Sequence, residues 1–231
     1  MRRRGTYFIQ FVCCALIVPG IAPAMLAGGR SDAAATSIQQ FLTRESGAHR
    51  YRALRRLAAE NRGRAGWLEA WTTFGPDESF HYEIVAEGGS SYIRSRVLRA
   101  LLDGEKEAIE KGEPGRSALA ATNYEFESEG LDPTGLVRIG LVPRRNEGVL
   151  VSGAMFLSPA DGELVRVEGR LARNPSFWVK HVDIVRSYAR IAGAVLPIAL
   201  ETRAQLRMLG PATLRMTYEY TEIDGQPVGT R

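Results

Sequence analysis

Three histidines, His49, His81 and His181, are the side chains best suited to acid–base or metal chemistry. They fall in different elements, and none has a partner at i+4 or at another metal-ligand spacing. No metal site is therefore expected. His181 and Asp183 share one face of a strand at i, i+2, and a structural hydrogen bond is expected of them rather than catalysis. Glu125, Glu127 and Glu129 repeat at period two, the usual pattern of a solvent-facing row. A nucleophile elbow needs Gly-x-Ser-x-Gly, and the nearest text, Glu87-Gly-Gly-Ser-Ser-Tyr, lacks it. There is no P-loop and no dinucleotide fingerprint. Both cysteines, Cys13 and Cys14, lie in an apolar leader, so the chain beyond it has no thiol nucleophile and no thiolate ligand. No catalytic residue and no cofactor is expected. An envelope hydrolase would have to gather its polar groups in space around His181.

The other reactive-looking feature is a run of arginines. Tyr51, Leu54, Leu57 and Ala58 recur at helical spacing, which predicts a second helix over His49–Asn61. Arg52, Arg55 and Arg56 lie off that stripe. They form either a solvated face or a docking surface for an acidic partner or anionic lipid head groups. Net charge is +4, but Arg2, Arg3 and Arg4 supply three of those charges, leaving the rest near neutral. No basic patch of the kind that nucleic-acid binding requires is present.

The start of the chain reads as an export signal. Arg2–Arg4 form a charged region, residues from Tyr7 to Val18 are mostly apolar, and Ala22-Pro23-Ala24 resembles a cleavage site. The apolar run is short for a membrane span. The expected organisation is a leader over 1–24, a joint over 25–36, a single domain over 37–225 and a tail over 226–231. The expected location is the periplasm.

The elements that position these residues are mainly strands. Asp32 can cap a helix over Ala33–Glu45, with Ile38, Phe41 and Leu42 on one side. Strands are expected at Trp67–Phe74, Ser79–Glu87 and Ser91–Arg96, then a helix over Val97–Lys111. Short strands follow at Ala121–Glu129, Leu136–Pro143 and Val149–Ser158. Long ones follow at Glu163–Ala172, Phe177–Ile191, Val195–Leu209 and Ala212–Ile223. In the last two, Leu196, Ile198, Leu200, Leu206 and Met208, and then Leu214, Met216, Tyr218 and Tyr220, share one face. Charged residues occupy the other. Nine or more strands in meander order predict an α+β fold: a strongly curved antiparallel sheet, an open half-barrel, with helices over its concave face.

This order resembles the periplasmic lipoprotein-carrier superfamily, which is LolA-like and includes RseB-type regulators. The segments Asp161-Gly-Glu-Leu-Val-Arg-Val-Glu-Gly-Arg, Ser176-Phe-Trp-Val and Met216-Thr-Tyr-Glu-Tyr carry the resemblance, which covers about Ser37 to Gly225. It implies a half-barrel that holds acyl chains or binds lipidated proteins under a helical lid.

The candidate ligand-holding residues are Val165, Val167, Leu171, Leu196, Ile198, Leu200, Leu206, Met208, Leu214, Met216, Tyr218 and Tyr220. An acyl chain buried against them gains about 0.8 kcal/mol per CH₂. The expected function is non-catalytic binding of a lipid or an acylated protein. The alternative is an envelope-stress or protein-interaction module acting through the arginine-rich helix.

Overall fold

The computed structural model describes residues 32–43, 48–75, 79–112 and 114–229. The stretch expected to be a leader, with its expected cleavage site, lies outside the described residues. The first element is helix α1, Asp32–Thr43. Three strands follow: β1 Tyr51–Asn61, β2 Arg64–Phe74 and β3 Phe80–Gly89. A helical stretch comes next, made of α2 Ser91–Ile93, a π-helical turn Arg94–Leu98 and α3 Arg99–Glu110. Seven strands then run in a meander. They are β4 Tyr124–Leu131, β5 Val137–Pro143, β6 Val151–Leu157, β7 Leu164–Leu171, β8 Val179–Ile191, β9 Ala194–Leu206 and β10 Gly210–Ile223. A two-residue strand, β11 Gln226–Pro227, pairs with the end of β10. Helix α1 thus starts inside the stretch expected to be a joint, and β11 lies inside the expected tail.

All strands join one antiparallel sheet in the order β3-β2-β1-β10-β9-β8-β7-β6-β5-β4. The sheet is open, with β3 and β4 at its edges. The chain leaves one edge strand and re-enters at the other, so the helical stretch between them must cross the sheet. It crosses the face where apolar side chains point. Helix α1 packs over β4 and β5, at the other wing. The result is the α+β half-barrel with helices over its concave face.

Two expectations fail. Residues 49–61 are not a helix but contain β1. Tyr51, Ala53, Arg55, Leu57 and Ala59 alternate inward, while Arg52, Arg56 and Glu60 point outward. The helical reading arose because Leu54 and Ala58 lie outside the inward stripe, and because Arg55 breaks it. The turn after β1 decides the matter. Arg62 and Gly63 both have positive φ, 51° and 71°. That is the backbone a two-residue hairpin between right-twisted strands needs, and it folds β1 straight onto β2. Residues 91–96 are helical rather than extended. Gly89, at φ 77°, turns the chain off β3. Ile93, Leu98, Leu101 and Leu102 then fall on one helical face that is almost wholly buried.

The convex face is a lattice of charge pairs. Arg56 reaches Glu69 at 3.1 Å and Glu219 at 2.8 Å. Arg170 reaches Asp183 at 2.9 Å, and Arg215 reaches Glu201 at 3.1 Å. Such exposed pairs contribute little individually, with a median of about 0–1 kcal/mol. At the β4 edge, Glu129 pairs with Arg138 and Glu125 with Arg144. Charged edge strands resist pairing with another chain.

Candidate functional site

The concave face holds two covered wings. Under the helical stretch, Leu57, Leu68, Leu171, Leu200, Leu206, Leu214 and Met216 pack with Ile93, Leu98, Leu101 and Leu102. Under α1, Ile38 and Phe41 pack on Ile139, Leu141, Met155, Leu164 and Val167. An aromatic group, Tyr51, Phe74, Phe80 and Tyr220, closes the end of the first wing together with Leu196 and Ile109.

One charge pair is sealed into the first wing. Arg55 is the odd residue in the inward stripe of β1, and Glu105 is the odd residue in the apolar stripe of α3. They meet face to face. Arg55 Nη1 donates to Glu105 Oε2 at 2.5 Å and Nη2 donates to Oε1 at 3.0 Å, while Nη2 also donates to the Tyr51 hydroxyl at 2.7 Å. Both side chains are 1% exposed. The guanidinium carbon lies 4.7 Å from the Tyr218 ring and 5.1 Å from that of Phe80. Arg55 Nε has no hydrogen-bond partner. Burial alone would lower the Arg55 pKa, but the Glu105 carboxylate outweighs it and holds the guanidinium well above its ordinary range. Arg55 is thus permanently charged and tied at both ends. Tyr220 is pushed well up by burial and donates to the Pro197 carbonyl at 2.9 Å.

More polar ties hold the helical stretch to β3. Glu87 takes Arg94 at 2.5 Å and Arg99 at 2.7 Å, and the Tyr82 hydroxyl donates to Asp103. These ties run to β1 and β3, on one side of the helix.

Between the wings runs a seam. Val151 is half-buried and packs against both apolar clusters. Its backbone N–H donates to the Tyr124 hydroxyl at 3.0 Å. Arg186 sits on the inward face of β8 opposite Leu200 and Val167 and is half-buried. Burial pushes up both the Tyr124 and Tyr188 hydroxyls, and the nearby Arg186 charge opposes that shift. At this junction apolar side chains thus stand beside one arginine and two buried phenols.

The twelve residues expected to line a ligand site fall in three groups. Val167, Leu171, Leu196, Leu200, Leu206, Leu214, Met216 and Tyr220 are buried on the concave face, and Tyr218 is half-buried against two of its clusters. Val165 and Ile198 are half-buried where β-bulges break the register, between β6 and β7 and between β8 and β9. Met208 is not on the sheet face. It lies in the β9–β10 turn and is 68% exposed.

The arginine surface is split. Arg52 and Arg56 lie on the convex face, where Arg52 stacks on Trp71 at 4.6 Å and Arg56 meets two glutamates. Arg55 is interior, so the three do not form one docking face, and there is no arginine-rich helix. His49 and His81 are exposed. His181 stands 3.5 Å from Asp183 on the charged outer side of β8, and the same carboxylate takes Arg170. Among the described residues no group of three or more His, Cys, Asp or Glu could hold a metal ion, and no helix is long and apolar enough to cross a membrane. The Arg55–Glu105 pair and the seam arginine were missed by sequence reasoning. Their signal was one charged residue inside an otherwise apolar period-two or helical stripe.

No protein-family model matches the chain, and no curated protein matches it. Solved structures do resemble it at low identity. A putative outer membrane lipoprotein-sorting protein domain from Vibrio parahaemolyticus shares 9% identity, with 82% of this chain and 91% of that one covered, at a TM-score of 0.38. A DUF1329 family protein from Desulfovibrio piger shares 9% identity over 81% and 89% of the two chains, at 0.36. A structure of the Pseudomonas aeruginosa MucA/MucB complex shares 11% identity over 85% and 99%, at 0.26.

Proposed function

We propose that this protein is a periplasmic, non-catalytic binder of a lipid or an acylated protein, with the acyl chain taken into the seam between the two wings. The observation that carries the reading is the seam itself. Val151 belongs to both apolar clusters, and Arg186, Tyr124 and Tyr188 stand beside it on a face otherwise built from hydrocarbon. Hydrocarbon walls suit the chain, and an inward arginine suits an ester or phosphate head group.

The helical stretch acts as the lid. Its polar ties run to β1 and β3, so it can lift from the β8–β10 side while staying hinged on the other. The π-helical turn Arg94–Leu98 breaks the regular helix next to that hinge. The residues that the lid now covers, Leu200 and Met216 among them, extend the hydrocarbon surface once it moves. Roughly a dozen buried methylenes, at about 0.8 kcal/mol each, give useful affinity without strict head-group recognition.

The test is native mass spectrometry with organic extraction on protein purified gently from an envelope fraction. The parent should carry acyl or phospholipid adducts. Val151→Trp, which fills the seam, and Arg186→Gln, which removes its charge, should shed them while remaining folded by circular dichroism. A clean mass from the well-folded parent sinks the reading, and so do adducts untouched by both changes. The buried Leu200 and Met216 are poor test sites, because a carboxylate there would unfold the sheet before it emptied the seam.

A further inference from the structure

Three loops at one end of the sheet form a surface that the seam does not use. They are the β1–β2 turn at 62–63, the β7–β8 loop at 172–178 and the β9–β10 turn at 207–209. Four large apolar side chains project from them. Phe177 is 74% exposed, Met208 68%, Trp178 57% and Leu209 45%. Scattered exposed apolar residues are ordinary, but a cluster of this size on adjoining loops is not.

The side chains are held outward by bonded backbone. The Arg207 N–H donates to the Trp178 carbonyl at 2.8 Å, and Arg207 Nε donates to the Phe177 carbonyl at 2.7 Å. The Arg207 guanidinium also stacks 4.9 Å from the Phe177 ring, and the Phe177 and Trp178 rings meet edge to face at 5.6 Å. On the neighbouring turn, Arg62 donates to the Met208 carbonyl, and Asn61 donates to those of Leu209 and Pro211. The carbonyls of Phe177, Trp178, Met208 and Leu209 are thus bonded within the protein, while their apolar side chains face water.

The charge around the cluster is mainly positive, with Glu60 the exposed carboxylate at the end of β1. Arg62, Arg64, Arg173, Lys180 and Arg207 are all exposed. Among the described residues none of them has a carboxylate within ion-pair distance, whereas Arg56, Arg138, Arg170 and Arg215 elsewhere on the surface are paired. The opposite end of the sheet carries the turns with Asp132, Asp161 and Asp224.

We propose that this loop cluster docks the protein on the surface of a bilayer containing anionic phospholipid. Trp178 and Phe177 would sit at head-group depth, where aromatic rings with a polar or charged partner partition well. Met208 and Leu209 would reach the acyl boundary. The five cations would meet phosphodiester groups, each worth about a fivefold gain in partition at low salt. None of the four apolar loop side chains is a seam residue, so either surface can fail without the other. Docking would place the β7–β8 loop and the β9–β10 turn against the membrane.

The test is flotation of envelope-purified protein with vesicles of phosphatidylethanolamine and phosphatidylglycerol, against vesicles of phosphatidylcholine alone. Binding is expected to the anionic vesicles and to weaken as salt rises. Trp178→Ser with Met208→Ser, and separately Arg62→Glu with Arg207→Glu, should each weaken it by about tenfold or more. Both pairs should keep the acyl adducts of the parent, whereas Val151→Trp should keep vesicle binding. No flotation of the folded parent, flotation indifferent to lipid charge, or flotation unchanged in both paired variants overturns the proposal. Loss of a protein partner in these variants with vesicle binding intact also overturns it and makes the cluster a protein interface.

Discussion

Helices α3 and α1 cover the two wings of one sheet, yet the ties that hold them differ in kind. The helical stretch ending in α3 meets its wing through a sealed, bidentate Arg55–Glu105 pair, with Glu87 and Asp103 adding ties to β3. Helix α1 meets its wing through Ile38 and Phe41 set into an apolar cluster. Charge in a dry site has one acceptable geometry, whereas hydrocarbon accepts several. The difference teaches that the charge pair fixes the register of α3 on β1, while the contacts of α1 with its wing fix no single register by themselves.

The strongest way to break the comparison is Glu105→Leu. It leaves Arg55 buried and uncompensated, and should cost about 3–5 kcal/mol in urea unfolding. The paired change Arg55→Met with Glu105→Leu should recover most of that loss. A single-variant cost under about 1 kcal/mol would mean that the pair is not what holds α3. Next comes Ile38→Ala, expected to cost about 2 kcal/mol, the low end for such a truncation, because a terminal helix can settle into the gap. Hydrogen exchange should show amides of α1 losing protection while those of β1 keep theirs. Uniform loss across both would erase the distinction between the wings.

Smaller still is Arg56→Ala on the convex face. Its pairs with Glu69 and Glu219 are exposed, and removal should cost less than about 1 kcal/mol and less again in high salt. The smallest effect is a pH dependence. Burial and the bond to Asp103 raise Tyr82 from 10.0 to about 12. The folded state therefore holds that proton more tightly than the unfolded chain. The contribution is complete below pH 10 and is lost as pH rises through about 12. Tyr82→Phe should flatten that alkaline limb of an unfolding titration. An unchanged slope would show that the Tyr82–Asp103 tie carries no stability.

The meander from β5 to β10 was legible because its long strands β9 and β10 alternate and because glycine or proline lies in or directly beside its turns. The inserted helix at 97–111 was legible for the same reason at its own period. Residues 49–61 were misread because their alanine, leucine and arginine content favours a helix, and because Arg55 interrupts the inward alternation. That interruption is itself the functional clue, since its partner Glu105 interrupts the stripe of α3. Single-element patterns cannot reveal such a pair, because each half looks like an error until the two are opposed in space. Met208 shows the converse. It keeps the parity of β9 on paper, but the strand ends at Leu206 and the side chain goes to the loop cluster.

The pairing of β1 with β10 sets how the chain must assemble. Leu57 stands opposite Met216 in the ladder, far away along the chain. The strands β4 to β10 can zip up as successive hairpins, each closing a short loop. The sheet formed by β1, β2 and β3 has nothing to join until β10 presents its free edge, so the last long strand is the keystone of the α3 wing. High contact order of this sort slows folding. It also makes the end of β10 the most economical place to cut: losing it would strand the first hairpins and their helix while leaving the β4–β9 ladder hydrogen-bonded.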